Sequence, residues 1–206
     1  MMNIICSDLE GVFIPEIWIN VAEKTGIEEL KLTTRDIPDY NVLMKKRLGI
    51  LDAQGLKLKD ITDVIDTMDP MEGAAEFVAW MRERSQLIIL SDTFEQFAGP
   101  FMRKLGMPTL FCHQLEVDES GRVVDYCLRQ ENQKQKAVAA LKGLNYHVTA
   151  FGDSYNDVTM LKEANKGFLF KPPANVIEEF PQFPVTTCYD ELKPLIESAL
   201  AEGTGL

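Results

Sequence analysis

Histidine and cysteine are scarce: the 206 residues contain two histidines, His113 and His147, and four cysteines, Cys6, Cys112, Cys127 and Cys188. The thiols are scattered with no metal-type spacing, which argues against zinc and leaves them as expected core residues. None of the four is followed six residues later by arginine, so cysteine-phosphatase chemistry is excluded. The glycine-rich phosphate loops of nucleotide-binding proteins and the G-x-S-x-G elbow are also missing. Positive charge is short as well: 21 basic against 32 acidic residues leave a net charge of −11. Without a basic stripe there is little to release counterions from a nucleic acid or to hold an anionic lipid surface. No apolar run is long enough to span a bilayer, and no basic-then-apolar leader precedes the first strand-like segment, so the cytoplasm is the expected location.

What is present is the grammar of an α/β protein. NIICSD reads as a buried strand, and three helical segments follow before the next one. PEIWINVAEKTG has Pro15 at an expected first helical position and Gly26 as its stop. PDYNVLMKKRLGILDAQG closes at Gly55. KLKDITDVIDTMDP carries Ile61, Val64, Ile65 and Met68 on one face. From residue 71 strands and helices alternate: GAAEFVAWMRERS, QLIILSD, FAGPFMRKLG, TLFCHQL, a hairpin turning at Ser120 and Gly121, QKQKAVAALKGL, HVTAFGD, YNDVTMLKEAN and GFLFKPP. Such alternation predicts a Rossmann-like, mostly parallel sheet flanked by helices, with right-handed crossovers. The expected division is a core of residues 1–14 and 70–206 with an inserted helical cap over 15–69. The AEGTGL tail reads as disordered.

Four polar clusters follow apolar segments: SDLEG, LSDTF, ENQKQK and FGDSYND. Ligands bind outside the carboxyl ends of strands in an open parallel sheet, so these clusters are expected to converge. Each has a plainer reading. Ser154 and Asp157 have capping spacing, Ser91 and Asp92 could cap a helix, and Lys134 and Lys136 could be solvated. Asp8 and Glu10 are harder to explain away, because two carboxylates at one strand tip repel unless a cation balances them. Oxygen ligands without histidine or thiolate suit Mg2+, which favours a phosphate as a further ligand. The residues then divide the work. Asp8 would attack phosphorus to form an aspartyl-phosphate, and Glu10 would donate and later take a proton. Ser91 and nearby backbone N–H groups would hold phosphoryl oxygens, while Lys134 would neutralise charge spreading over them.

DLEGV, IILSD, the lysine region and GDSYND resemble, in order, the four motifs of the haloacid dehalogenase-like phosphatases. The helical insert between the first two resembles the phosphoserine phosphatase branch. DLEGV, PEIWI, TTRDIPDY and LSDTF are similar to its phosphoserine phosphatase/homoserine phosphotransferase group. The resemblance implies a Mg2+-dependent phosphomonoesterase acting on O-phospho-L-serine, with homoserine as a possible alternative acceptor to water. It further implies Mg2+ binding by Asp8, Asp153 and the Glu10 carbonyl, with Asp157 one layer further out and Asn156 near the phosphoryl group or a metal-bound water. Two departures stand out: Glu10 replaces the usual Asp, and Ser91-Asp92-Thr93-Phe94 replaces Ser-Gly-Gly-Phe, which bears on substrate contacts by Asp92 and Thr93. Lys134 is preferred over Lys136 for the third motif because it is nearer its helix start.

On the second insert helix, Tyr40, Leu43, Met44, Leu48 and Leu51 fall on one arc, and Arg47 falls inside it. A buried guanidinium needs an anion, a snorkelling route or an internal glutamate. In the resembled branch this arginine clamps the substrate carboxylate and Glu16 holds the ammonium. Helix first-turn placement is the alternative for Glu16. Three further readings stand beside the leading one: a phospho-accepting receiver module, a phosphatase for another small phosphometabolite, and a binding module. A homodimer is possible, with no interface legible.

Overall fold

In a computed structural model, which describes residues 1–33, 36–37 and 39–204, the described residues form one seven-stranded sheet in the order β4-β3-β2-β1-β5-β6-β7. The strands are β1 (Met2–Ser7), β2 (Gln86–Phe94), β3 (Thr109–Val117), β4 (Val123–Cys127), β5 (Tyr146–Gly152), β6 (Lys166–Phe170) and β7 (Val185–Thr186). All pairs are parallel except the β3–β4 hairpin. The first strand is therefore central, with β2 on one side and β5 on the other.

The middle of β1, Ile4, Ile5 and Cys6, is apolar on both faces because both are covered. Ile4 and Cys6 pack with Val138 of α6 (Gln133–Gly143) and Met160 of α7 (Val158–Glu163). Ile5 points the other way, into a cluster with Phe77 of α4 (Ala74–Arg82), Phe101 of α5 (Glu95–Lys104) and Leu192 of α9 (Tyr189–Thr204). Phe13, Phe77 and Phe151 meet at centroid separations of 6.1–6.4 Å beneath the tip of β1. Each such ring buried from water stabilises the fold by about 2–3 kcal/mol. The loop that follows β1 therefore rests on a fixed floor. A short helix α8 (Ala174–Glu179) follows β6.

Between β1 and β2 the chain forms α1 (Ile17–Thr25), a 3-10 turn (Glu28–Lys31), α2 (Tyr40–Ala53) and α3 (Leu58–Asp66), with no strand among the described residues. Gly26 and Gly55 end the first two helices with positive φ, 73° and 68°, which glycine adopts without steric cost. Asp39 starts α2 by accepting a hydrogen bond from the Val42 N–H at 3.1 Å. Leu43, Met44, Arg47, Leu48 and Leu51 are buried on α2, while Lys45 and Lys46 are exposed, as the periodicity predicts. Ile61 and Ile65 form the buried face of α3, and Met68 is buried just beyond it. Among the described residues no helix is long and apolar enough to cross a membrane.

Three expectations are corrected. Pro15 lies ahead of the first helix rather than at its first position: Glu16 is the cap residue and Ile17 begins the helix. The tail is not disordered through Thr204, because α9 runs that far. Its order comes from the other end of the chain: the Met1 ammonium donates to the Gly203 carbonyl at 3.0 Å, and Asn3 Nδ2 donates to the Leu200 carbonyl at 2.8 Å. Gly205 and Leu206 are outside the described residues, as are Thr34, Arg35 and Pro38 of TTRDIPDY. Finally, the thiols are not all core residues: Cys6 is buried and Cys112 half-buried, but Cys127 and Cys188 are exposed. On β4, Tyr126 turns inward to Tyr40 and Phe94, which leaves its neighbours Asp125 and Cys127 facing out.

Candidate active site

The loops after β1, β2 and β5 and the first turn of α6 open into one cavity of about 1150 Å3, lined by Asp8, Glu10, Glu16, Arg47, Ser91, Asp92, Thr93, Lys134, Asp153 and Asn156. The polar clusters do meet, and Lys134 is their centre. Its Nζ is 2.9 Å from Asp8 Oδ1, 2.8 Å from Asp157 Oδ1 and 3.9 Å from Asp92 Oδ2. Lys136, two residues on and rotated away, is exposed. Between the two lysines the geometry favours Lys134.

Asp8 continues β1, its N–H donating to the Phe151 carbonyl at 3.1 Å, so the register with β5 fixes where its carboxylate emerges. Asp157 is fully buried. Its Oδ2 accepts the N–H groups of Asp153 (2.9 Å) and Ser154 (3.1 Å) while Oδ1 accepts Lys134. The capping reading of Asp157 and its site reading are thus one arrangement: the carboxylate shapes the loop and anchors the lysine. Two glycines make room. Gly11 has φ 73°, and a Cβ there would lie 2.6 Å from Asp153 Cγ. A Cβ on Gly152 would run into the Asp157 side chain.

Crowded carboxylates leave an electrostatic signature. Burial, then Asp157 and Asp153, push the Asp8 carboxyl well above its ordinary range despite the opposing Lys134. Burial and Asp157 likewise raise Asp153 to about 7. Glu10 is raised to about 7 by burial and Glu16, with the Ile17 N–H, Arg47 and Lys134 opposing. Burial works against the Lys134 ammonium, yet Asp157, Asp8 and Asp92 together hold its pKa above the usual lysine range. Asp8, Asp153 and Asp157 each offer a carboxylate oxygen, all within 4.8 Å of one another. Such a hard, all-oxygen set whose members resist ionising together fits a divalent cation of the Mg2+ type. Protein donors engage both Asp157 oxygens, whereas the Leu9 N–H and Lys134 meet Asp8 through Oδ1 alone.

The remaining predicted residues line the cavity around this centre. Ser91 is buried; its Oγ accepts the Thr93 N–H at 3.2 Å and its carbonyl accepts Gln133 Nε2 at 2.6 Å. Neither Ser91 nor Asp92 caps α5, where Phe94 is the cap residue. Asp92 accepts from Asn156 Nδ2 at 3.1 Å and Gln133 Nε2 at 3.2 Å. Although burial opposes it, Lys134, His113, Asn156 and Gln133 hold the Asp92 carboxyl well below the usual range. Glu10 Oε2 accepts the Ile17 N–H at 2.9 Å, so Glu10, not Glu16, satisfies the first turn of α1. Glu16 is exposed and faces the cavity, which leaves its first-turn reading without a hydrogen bond of its own.

Arg47 is only 7 % exposed. Its Nη2 donates to the Leu32 carbonyl at 2.7 Å, its Nη1 reaches Met44 Sδ at 3.8 Å, and the guanidinium lies 4.6 Å from the Trp18 ring centroid. Among the described residues no carboxylate forms an ion pair with it within 4.0 Å, so Glu10 and Glu16 act on its charge only at longer range, and Nε is a buried donor without a partner. Burial lowers its pKa to about 10. Sequence reasoning missed His113 and Gln133, which serve Asp92 from 21 and 41 positions away, and also Lys171 and Asn175 on the cavity rim. The pairing of Lys and Gln at a helix start carries no local signal for such a role.

The haloacid dehalogenase-like hydrolase family, described as hydrolases, matches residues 5–165. The chain belongs to that family. This hydrolase is 64 % identical over 192 residues to a Pseudomonas aeruginosa protein named phosphoserine phosphatase ThrH, covering 93 % of this chain and 94 % of that one. It is 62 % identical over 192 residues to a Pseudomonas syringae pv. tomato phosphoserine phosphatase, covering 93 % and 81 %. Its fold is similar to that of a phosphoserine phosphatase in apo form, with a TM-score of 0.73 at 21 % identity over 90 % of this chain and 92 % of that one. A substrate-bound phosphoserine phosphatase complex gives 0.71 at 20 % identity over 91 % and 94 %. Membership in a hydrolase family leaves the receiver and binding-module readings without support.

Proposed function

We propose that this hydrolase removes the phosphoryl group from O-phospho-L-serine through an aspartyl-phosphate on Asp8, and that residues 15–69 act as a cap that selects the substrate. The names of the two Pseudomonas relatives support the substrate. The observation that carries the reading is the pairing, within one cavity, of the Lys134-centred carboxylates with a buried guanidinium whose Nε has no partner. An anion brought by the ligand satisfies Arg47, bidentate as guanidinium geometry favours. The Glu16 carboxylate is left to meet an ammonium. A phosphorylated amino acid has both groups at one end and its phosphate at the other.

Asp8, Asp153 and the Glu10 carbonyl would hold Mg2+, with Asp157 behind them; the ion supplies the positive charge that lets these carboxylates coexist with a phosphate. In the first step an Asp8 carboxylate oxygen bonds to phosphorus as the bond from phosphorus to the serine oxygen breaks, and Glu10 protonates the departing oxygen. In the second, Glu10 takes a proton from water as the water oxygen bonds to phosphorus, and the Asp8–phosphorus bond breaks to release phosphate. The Ile17 N–H holds one Glu10 oxygen, which fixes the side chain and leaves the other oxygen for the proton. Lys134 and the Ser91 hydroxyl stabilise charge on the transferring group. An alcohol can replace water in the second step, and homoserine is the acceptor implied by the resembled group.

Incubating the purified protein with phosphoserine and Mg2+ tests this. Phosphate release that Asp8→Asn abolishes is expected; release unaffected by that change contradicts the nucleophile. Added homoserine yields phosphohomoserine if it acts as acceptor, and its absence leaves hydrolysis alone.

A further inference from the structure

Arg47 is held by other cap residues, Leu32, Met44 and Trp18, so its own contacts do not fix it relative to the phosphoryl end of the cavity. That distance depends on where α2 touches the core. The first residue of α2 makes such a contact: Tyr40 Oη donates to the Asp92 carbonyl at 3.1 Å. Two neighbouring contacts orient it. The Tyr40 ring meets Tyr126 of β4 edge-on at 6.0 Å, and Tyr126 Oη donates to Asn41 Oδ1 at 2.8 Å. Burial, with the nearby Asp92 charge, pushes the Tyr40 phenol well above its ordinary range and keeps it protonated. Tyr40 and Arg47 are seven residues apart, two turns of one helix and about 10 Å along its axis. A hydroxyl pinned at one end therefore sets the guanidinium at the other.

The residue that takes this hydroxyl also organises the phosphoryl side. The Asp92 carboxylate accepts from Asn156 after β5 and from Gln133 at the start of α6, and lies 3.9 Å from Lys134. His113 of β3 completes the set. Its Nδ1 accepts the Arg129 N–H at 3.1 Å, so the neutral ring carries its proton on Nε2, 3.5 Å from Asp92 Oδ1. A glycine, which the resembled branch has here, offers no carboxylate for these partners. We infer that Tyr40 and Asp92 are a pair of positioning residues linking the cap to the phosphoryl pocket, so that the site for the substrate's carboxylate and the site for its phosphate are held at one fixed separation. This rests on the function proposed above and adds a determinant of substrate length to it.

Tyr40→Phe removes one hydroxyl and keeps the ring, and the test compares two substrates. Phosphoserine reaches both ends of the cavity, whereas phenyl phosphate has no carboxylate or ammonium to engage the cap. The link predicts that Tyr40→Phe raises KM for phosphoserine about tenfold, with kcat/KM for phosphoserine falling several-fold further than that for phenyl phosphate. Asp92→Asn sets an amide donor against Asn156 Nδ2 and is expected to lower kcat/KM for both substrates at least tenfold. Equal losses on the two substrates with Tyr40→Phe, or no loss on either, overturn the inference. Amide hydrogen exchange of α2 gives an answer that needs no substrate: faster exchange over Tyr40–Ala53 in Tyr40→Phe than in the wild type supports the link, and identical exchange contradicts it. Wild-type protein that turns over phenyl phosphate but not phosphoserine would refute the proposed substrate, while the exchange comparison would still decide the link.

Discussion

Lys134 and Arg47 are both buried cations in one cavity, and they are neutralised by opposite means. Lys134 has three carboxylates within 4 Å and belongs to a closed network of the sheet's tips. Arg47 has a carbonyl, a sulfur and an indole face, and no carboxylate within that distance among the described residues. A cation with its counter-charges built in maintains the geometry of the pocket. A cation without them is stabilised when a ligand brings an anion. Under the function proposed above, the contrast separates the part of the site assigned to chemistry from the part assigned to substrate recognition.

The largest expected effect falls on the nucleophile. Asp8→Asn should reduce phosphate release from phosphoserine by about a thousandfold or more, because the proposed covalent bond forms on the Asp8 carboxylate. Next come the two cations, whose removal should separate activity from stability. Lys134→Met leaves Asp8 and Asp157 buried without their partner, and is expected to lower both turnover, by about a hundredfold, and stability, by about 3–5 kcal/mol in denaturant unfolding. Arg47→Met should raise KM for phosphoserine by about a hundredfold, yet leave stability equal or slightly higher, since it deletes a buried charge that breaks no ion pair. If both variants lose stability equally, the contrast between a closed and an open charge is wrong.

The smallest effect concerns pH and metal. In metal-free protein Asp153 is raised from its ordinary 3.8 to about 7. A raised carboxyl binds more protons folded than unfolded between those values, so stability falls as pH rises from about 4 to 7. Metal-free protein should thus melt a few degrees higher at pH 5 than at pH 8. Added Mg2+ should raise the midpoint more at pH 8, where the carboxylates are ionised. A Mg2+ effect larger at pH 5 would argue against Asp8 and Asp153 as ligands.

The sheet and the strand-tip cluster were legible in the sequence because both depend on local pattern: apolar runs ending in acidic residues at strand ends. The stripe that buries Arg47 was also legible, since a helix repeats every 3.6 residues. What decided between Lys134 and Lys136 was rotation about α6, which the spacing leaves open until the helix start is known. The partners of Asp92 were not legible, as His113 and Gln133 reach it only through the pairing of β2 with β3 and the docking of α6. The helical tail misled for the same reason. Its small and polar residues read as frayed, yet Gly203 is seated so closely on Asn3 and His147 that a Cβ would collide with both. Cys127 misled because an edge strand has an outward face that composition does not reveal.

Rapid acid quenching of the wild-type enzyme with phosphoserine labelled in its phosphoryl group, followed by peptide mapping, addresses the central claim most directly. The account predicts label on the peptide containing Asp8 within a single turnover, lost in Asp8→Asn and discharged when water or homoserine is given time to react. Phosphate released at full rate with no label on the protein at any time would contradict it.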